Sequence, residues 1–292
     1  MADPRLRQMI ENQQMVIAPG VFDMMAAHIA NRVGFDAVYA SGYWLTASYL
    51  GIPDAGIATF TDMLNRVSRL CEISHAPVVA DADTGYGGLL NLHHTVKGYE
   101  KAGVSGFQFE DQVFPKKCGH TKNRMVIPVQ EMCDKVKVAV DARSDENMLL
   151  IARTDARTDY GFDVAVERAI AFAEAGADLV FVEALESEEE MRRAAAAIGH
   201  PMMANMADGG NTPIFPGDKL KDIGFSIAIF PALTALSAMA AVESSLQYIK
   251  ETGTSQGSPV PRFDFQEMCS LLGFEDVWDF EKKWGLGVRS GD

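Results

Sequence analysis

The feature that most constrains this chain is a series of short β-branched and apolar runs recurring at intervals too long for hairpins. They fall at residues 16–21, 37–41, 77–83, 106–111, 148–155, 179–184, 202–206 and 225–231, which makes eight candidate strands. Between most of them lie stretches with helical periodicity. Over 163–175, for example, Val164, Ala165, Ala169, Ile170, Phe172 and Ala173 can line one stripe. Each unit reads as strand, helix, strand, a connection that suits parallel neighbours. The segments RVGFD (32–36), KAGVS (101–105), EAGAD (174–178) and DIGFS (222–226) each place a glycine where a helix must end before the next strand begins. Eight such units within roughly 250 residues have the dimensions of a (β/α)8 barrel, with a doubly wound open sheet as the alternative.

The expected organisation is a TIM-type barrel over residues 1–252, carrying the catalytic site, and a linker with a C-terminal helical tail over 253–292. Residues 233–252 form a long Ala-rich helical pattern, 253–261 a Gly/Ser/Pro linker, and 264–272 and 275–284 two short helical segments. The tail holds Phe263, Phe265, Met268, Leu271, Leu272, Val277, Trp278, Phe280 and Trp284, and such a set must bury its apolar face somewhere. A contact with another subunit is the expectation.

Charge narrows the function. With 26 Lys and Arg against 40 Asp and Glu, the net charge of −14 excludes a nucleic-acid binder that relies on a general basic surface. The longest apolar runs, such as 226–235, are too short for a bilayer span of roughly 20 residues, and the N-terminus lacks the build of a signal peptide. A cytoplasmic protein without membrane partners is expected. Cys71, Cys118, Cys133 and Cys269 have no close paired spacing, so neither a zinc site nor a disulfide framework is indicated.

In a barrel, reactive groups sit at the C-terminal ends of the strands. There the sequence places Tyr39, Ser41 and Gly42, then Asp81 and Asp83, Glu110, Arg153, Glu183 and Asn205. Residues that alternate along an extended segment point the same way, so Asp81 and Asp83 are expected to face the mouth together, with Glu110 beside them. Hard oxygen donors of this kind suit Mg2+ or Mn2+. Helix capping, or a salt bridge to Arg153, is the other reading of the pair. The loop after the fourth strand holds Lys116, Lys117, Cys118, Gly119 and His120. Two lysines and a histidine would lower the thiol's pKa and hold an anionic substrate, and Gly119 allows an unusual turn. A basic surface loop with an incidental cysteine is the alternative.

Together, VADADTGYG (79–87), FEDQ (109–112), KKCGH (116–120), ARTDA (152–156), Val182-Glu183 and Ala204-Asn205-Met206 resemble the isocitrate lyase and phosphoenolpyruvate mutase superfamily, in order and from Val16 into the tail. The resemblance implies a modified (β/α)8 barrel, Mg2+ at its mouth, and a loop carrying Cys118 that closes over substrate. It further implies a homotetramer in which a C-terminal helix crosses to a neighbouring subunit. By position, Asp81 matches the direct metal ligand, with Asp83 and Glu110 holding metal-bound waters. Asp54 matches a further polar position, and Ser41-Gly42 the segment that binds the oxoacid end of the substrate. Arg153, Glu183 and Asn205 match active-site residues.

The chemistry implied is carbon-carbon cleavage of a small di- or tricarboxylate. Cys118 would be the proton donor, Arg153 would stabilise negative charge, and Glu183 with Asn205 would position a carboxylate or water. Tyr39 is the candidate base for the C2 hydroxyl. Lys116, Gly119 and His120 would contact substrate. The cysteine loop resembles the lyase branch rather than the mutases and related hydrolases, whose gating loop contains Asn. The segment 206–210 (MADGG) looks closer to the subgroup acting on 2,3-dimethylmalate, other alkylmalates or oxaloacetate than to tricarboxylate enzymes. Methylisocitrate lyase, giving pyruvate and succinate, and oxaloacetate hydrolase or decarboxylase are the alternatives. Tyr43-Trp44 either shrink the pocket or serve in packing.

Overall fold

The computed structural model describes residues 1–119 and 124–285. Its strands are β1 (Val16–Val21), β2 (Val38–Ala40), β3 (Val78–Asp81), β4 (Gly106–Glu110), β5 (Leu149–Thr154), β6 (Leu179–Val182), β7 (Met203–Asn205) and β8 (Ile227–Phe230). Its helices are α1 (Arg5–Glu11), α2 (Met24–Val33), α3 (Gly42–Leu50), α4 (Phe60–Ile73), α5 (Leu89–Ala102), α6 (Val129–Ala142), α7 (Arg157–Tyr160), α8 (Phe162–Glu174), α9 (Glu188–Ile198), α10 (Gly217–Ile223), α11 (Leu233–Thr252), α12 (Phe265–Leu271) and α13 (Phe274–Trp284).

All strand pairs are parallel, in the order β6-β5-β4-β3-β2-β1-β8-β7. A parallel bridge between Val180 and Met202 links the two edge strands. The ring nearly closes into a (β/α)8 TIM-type barrel, and the open-sheet alternative falls. Gly34, Gly103, Gly176 and Gly224 all take positive φ, the conformation that lets a helix stop within one residue without a Cβ clash.

Burial falls into two layers. Inside the barrel, Val16, Ala18, Tyr39, Val79, Leu149, Ile151, Leu179, Phe181, Met203, Ile227 and Ile229 pack on one another. Leu6 and Ile10 of α1 join them. Sequence patterning did not mark α1, which is only seven residues long. The second layer lies between strands and helices and includes Leu92, Val96, Tyr99, Phe107, Phe109, Met132 and Phe172. One expectation there is corrected. Val164 is exposed, and α8 buries Ala165, Val166, Arg168, Ala169 and Phe172, with Arg168 turned inward to pair with Asp111 at 2.8 Å.

This barrel unit spans Met1–Leu236, and a second compact unit begins at Ser237, within α11. In the second unit Met239, Val242, Leu246 and Ile249 are exposed on α11, at a spacing that puts them on one helix face. Val277, Trp278, Phe280 and Trp284 of α13 are exposed as well. No described helix is long and apolar enough to cross a membrane.

Candidate active site

Polar residues at the C-terminal strand ends surround a cavity of about 220 Å³. Of the residues expected in the site, Tyr39, Ser41, Asp54, Asp81, Lys116, Cys118, Gly119, Arg153, Glu183 and Asn205 line it. Gly42, Asp83 and Glu110 stand behind this lining. His120 lies outside the described residues.

The two aspartates meet for a different reason from the one expected. β3 ends at Asp81, and Asp83 adopts φ 47° in the left-handed region, so its N–H donates to Asp81 Oδ1 at 3.0 Å. A tight turn, rather than strand alternation, gathers the carboxylates. Gly42 lets the start of α3 approach this turn. A Cβ there would lie 2.6 Å from Asp81 Oδ2.

Lys116 is no surface lysine. It is buried, with its ammonium 2.6 Å from Asp54 Oδ1 and 2.8 Å from Asp83 Oδ1. Lys117 is exposed, but its backbone is gripped. The Gln112 side-chain amide donates to the Lys117 carbonyl at 2.8 Å and accepts from its N–H at 3.0 Å. The clamp helps to set the segment that turns Lys116 inward and puts Cys118 on the cavity.

Parallel register sets Glu110 beside Arg153. The Arg153 guanidinium is buried and makes two hydrogen bonds to Asp155, at 3.0 and 2.9 Å. It also lies 3.4 Å from Glu110 and 3.3 Å from Glu183. Asn205 Nδ2 donates to Glu183 Oε2 at 3.0 Å, and Glu183 Oε1 accepts from the Ala184 N–H. Asn205 Oδ1 and Glu110 Oε1 are buried without a hydrogen-bond partner among the described residues.

Burial, aided by Asp81 and Asp54 and opposed by Lys116, pushes Asp83 up to about 7. Burial likewise lifts Glu110 well above the usual carboxylate range, with Arg153 opposing. Lys116 responds in kind. Burial alone would lower it, but the surrounding carboxylates outweigh this and raise it. The acidic cluster is short of positive charge.

A hard divalent cation fits that shortage and the oxygen donor set. Among the described residues no group of three or more His, Cys, Asp or Glu side chains is arranged to hold a metal ion by itself. Asp81 would hold it directly. Asp83 and the unpaired Glu110 Oε1 are placed for the outer sphere.

Tyr39, the candidate base, is buried beside the cavity. Burial, then Asp81, push its hydroxyl well above its ordinary value, and its oxygen already accepts from Gln108 Nε2 at 2.9 Å. A neutral phenol at this position can donate a hydrogen bond into the cavity.

Tyr43 and Trp44 do line the cavity, packed edge to face with ring centroids 4.8 Å apart. Met206 does not; it is fully buried in the core, while Ala207 and residues 208–210 line the cavity. Sequence reasoning missed Gln108, Gln112 and Arg124, and placed Asp155 at the end of the fifth strand without giving it a role. Gln112 and Asp155 lie inside the motifs FEDQ and ARTDA, and the i,i+2 spacing of Asp155 from Arg153 was a usable signal. Arg124 carried none, since two of its three partners, Asp155 and Thr158, are 31 and 34 residues away.

A sequence profile of the phosphoenolpyruvate phosphomutase family matches residues 6–250. The chain is 42% identical over 283 residues to 2,3-dimethylmalate lyase of Eubacterium barkeri, covering 97% of this chain and 98% of that one. It is 41% identical over 278 residues to 2-methylisocitrate lyase of Aeropyrum pernix, covering 95% and 88%. A crystal structure of 2,3-dimethylmalate lyase, a PEP mutase/isocitrate lyase superfamily member, superposes with a TM-score of 0.91 at 33% identity, covering 100% of this chain and 99% of that one.

Proposed function

The chain belongs to the phosphoenolpyruvate phosphomutase family, within the PEP mutase/isocitrate lyase superfamily, and from that premise we propose that it is a divalent-metal-dependent carbon-carbon lyase acting on a substituted malate. The substrate is 2,3-dimethylmalate or another alkylmalate, and the products are a 2-oxo acid and a carboxylate. In the reaction a base takes the C2 hydroxyl proton, the C2 oxygen becomes the carbonyl of the 2-oxo acid, and the C2–C3 bond breaks. The electron pair left on C3 is spread over the adjacent carboxylate until C3 takes a proton.

Cys118 Sγ, on the cavity wall, is the group assigned to give that proton. Arg153, fixed in orientation by Asp155, stabilises the negative charge that develops on the departing half. Ser41 and the start of α3 receive the oxoacid end. Asn205 Oδ1 offers an acceptor to a substrate hydroxyl, and Tyr39 offers its phenol as a donor. Bound Mg2+ or Mn2+, held by Asp81 with Asp83 and Glu110 behind it, would supply positive charge to the substrate's C2 and carboxylate oxygens. The exposed apolar faces of α11 and α13 support assembly into a homotetramer.

The observation that carries the substrate class is the lining of the cavity. Among the described lining residues the basic side chains are Lys116 and Arg153, and both are already paired with carboxylates. Tyr43, Trp44, Ala207, Ile229, Pro231 and Ala232 supply apolar wall. Alkyl groups find contact there, whereas a third carboxylate would be desolvated with little to pair with. An unpaired buried charge costs several kcal/mol, and about 1.4 kcal/mol is already tenfold in kcat/KM.

The test is a panel with Mg2+ in which 2,3-dimethylmalate, 2-methylisocitrate and oxaloacetate are assayed separately for each 2-oxo acid. The expected result is a kcat/KM for 2,3-dimethylmalate at least about tenfold above that for 2-methylisocitrate, lost on chelation and restored by metal. The opposite preference would assign the tricarboxylate, and full turnover in rigorously metal-free protein would remove the metal from the mechanism.

A further inference from the structure

Arg124 reaches the site from outside the cavity, and its side chain is buried. Its Nη1 donates to the Gly119 carbonyl and, at 2.7 Å, to Asp155 Oδ1; its Nη2 donates to Thr158 Oγ1 on α7 at 2.7 Å. Asp155 is the same carboxylate that holds Arg153. One acid therefore serves two guanidinium groups, one at the loop and one in the cavity. Gly119, between them, lies so close to Arg153 that a Cβ would collide with Nη2 and would approach Asp155 Oδ1 and Glu183 Cγ to 3.1 Å.

We propose that Arg124 is a positioning residue for the reaction: by gripping the Gly119 carbonyl and sharing Asp155 with Arg153, it fixes the placement of Cys118 and the orientation of the Arg153 guanidinium together. This rests on the assignment of Cys118 and Arg153 to the reacting site. The planar fork is what the task requires. Arg124 has three acceptors in different directions, and a lysine ammonium on a flexible stem cannot hold all three in one rigid geometry. Gln112 grips the same segment at Lys117, so Arg124 supplies the anchor at its far end. Misplacement of a reacting group by about 1 Å can cost roughly 100-fold in rate, which sets the scale expected here.

The experiment compares wild type, Arg124→Met and Arg124→Lys as full-length proteins, by steady-state kinetics and by amide hydrogen exchange read by mass spectrometry. In Arg124→Met, kcat should fall about 10- to 100-fold while KM changes by less than about threefold, since the residue does not line the cavity. Exchange over residues 112–119 should quicken about tenfold or more, with β1 to β8 unchanged. Arg124→Lys should fall between the two in both readouts. Wild-type kcat and exchange in both variants would overturn the proposal. Exchange that quickens equally in the barrel strands would overturn it too, because Arg124 would then support the fold at large. If wild type turns over none of the panel substrates, the lyase reading fails, and the exchange comparison still decides whether Arg124 anchors this segment.

Discussion

Cys118 is where the proposed chemistry meets a single side chain, since cleavage leaves a carbon that must be protonated and Cys118 lines the cavity. A serine hydroxyl is a far weaker acid at the same position. Cys118→Ser should therefore keep its circular dichroism spectrum and melting temperature while losing about 100- to 10,000-fold in turnover, the usual contribution of a positioned general acid. Turnover at the wild-type rate, with chemistry shown to be limiting, would move the proton to another donor. Cys71 offers a contrast at the same scale. Burial pushes it up to about 12, which leaves it protonated at neutral pH, and it lies among the outer-layer residues rather than at the cavity.

Elements place these side chains by how closely their ends approach. The start of α3 comes against Asp81 only because Gly42 has no Cβ, so Gly42→Ala is a sharp probe of the acidic cluster. The added methyl must turn the Asp81 carboxylate or push the helix away, at about 1–3 kcal/mol. Apparent Mg2+ affinity, measured by titration calorimetry, should weaken about 10- to 100-fold, the range seen when the surroundings of a metal ligand are disturbed. Unchanged affinity would mean that Asp81 does not hold the metal. Legibility at this scale was uneven. The eight strands could be read from their β-branched runs, and the four turn glycines from their place before each strand. The left-handed turn at Asp83 could not be read, because a non-glycine residue at positive φ is stabilised by its surroundings rather than by its own preference.

At the scale of the whole molecule, the second unit carries exposed apolar side chains: Met239, Val242, Leu246 and Ile249 line one face of α11, and Trp278 and Trp284 stand open on α13. A helix face lined with exposed apolar side chains commonly meets another protein surface. Light scattering at micromolar concentration should give four protomers, and Leu246→Glu with Trp278→Asp should lower that number while the barrel keeps its secondary structure. A monomeric wild-type protein would refute the assembly.

The sequence by itself determined the repeating strand-helix unit, the parallel sheet that follows from it, and the gathering of acid, amide and thiol groups at one end, because hydrophobic period and chain direction are local properties. The packed structure decided what those groups do to one another. It buried Lys116 between Asp54 and Asp83, set Gln108 against the Tyr39 hydroxyl, put Tyr43 and Trp44 on the cavity and Met206 in the core, and joined Arg124 to Arg153 through Asp155. Burial, pairing and charge balance depend on neighbours tens of residues away in the chain, and no local pattern records which residues those will be.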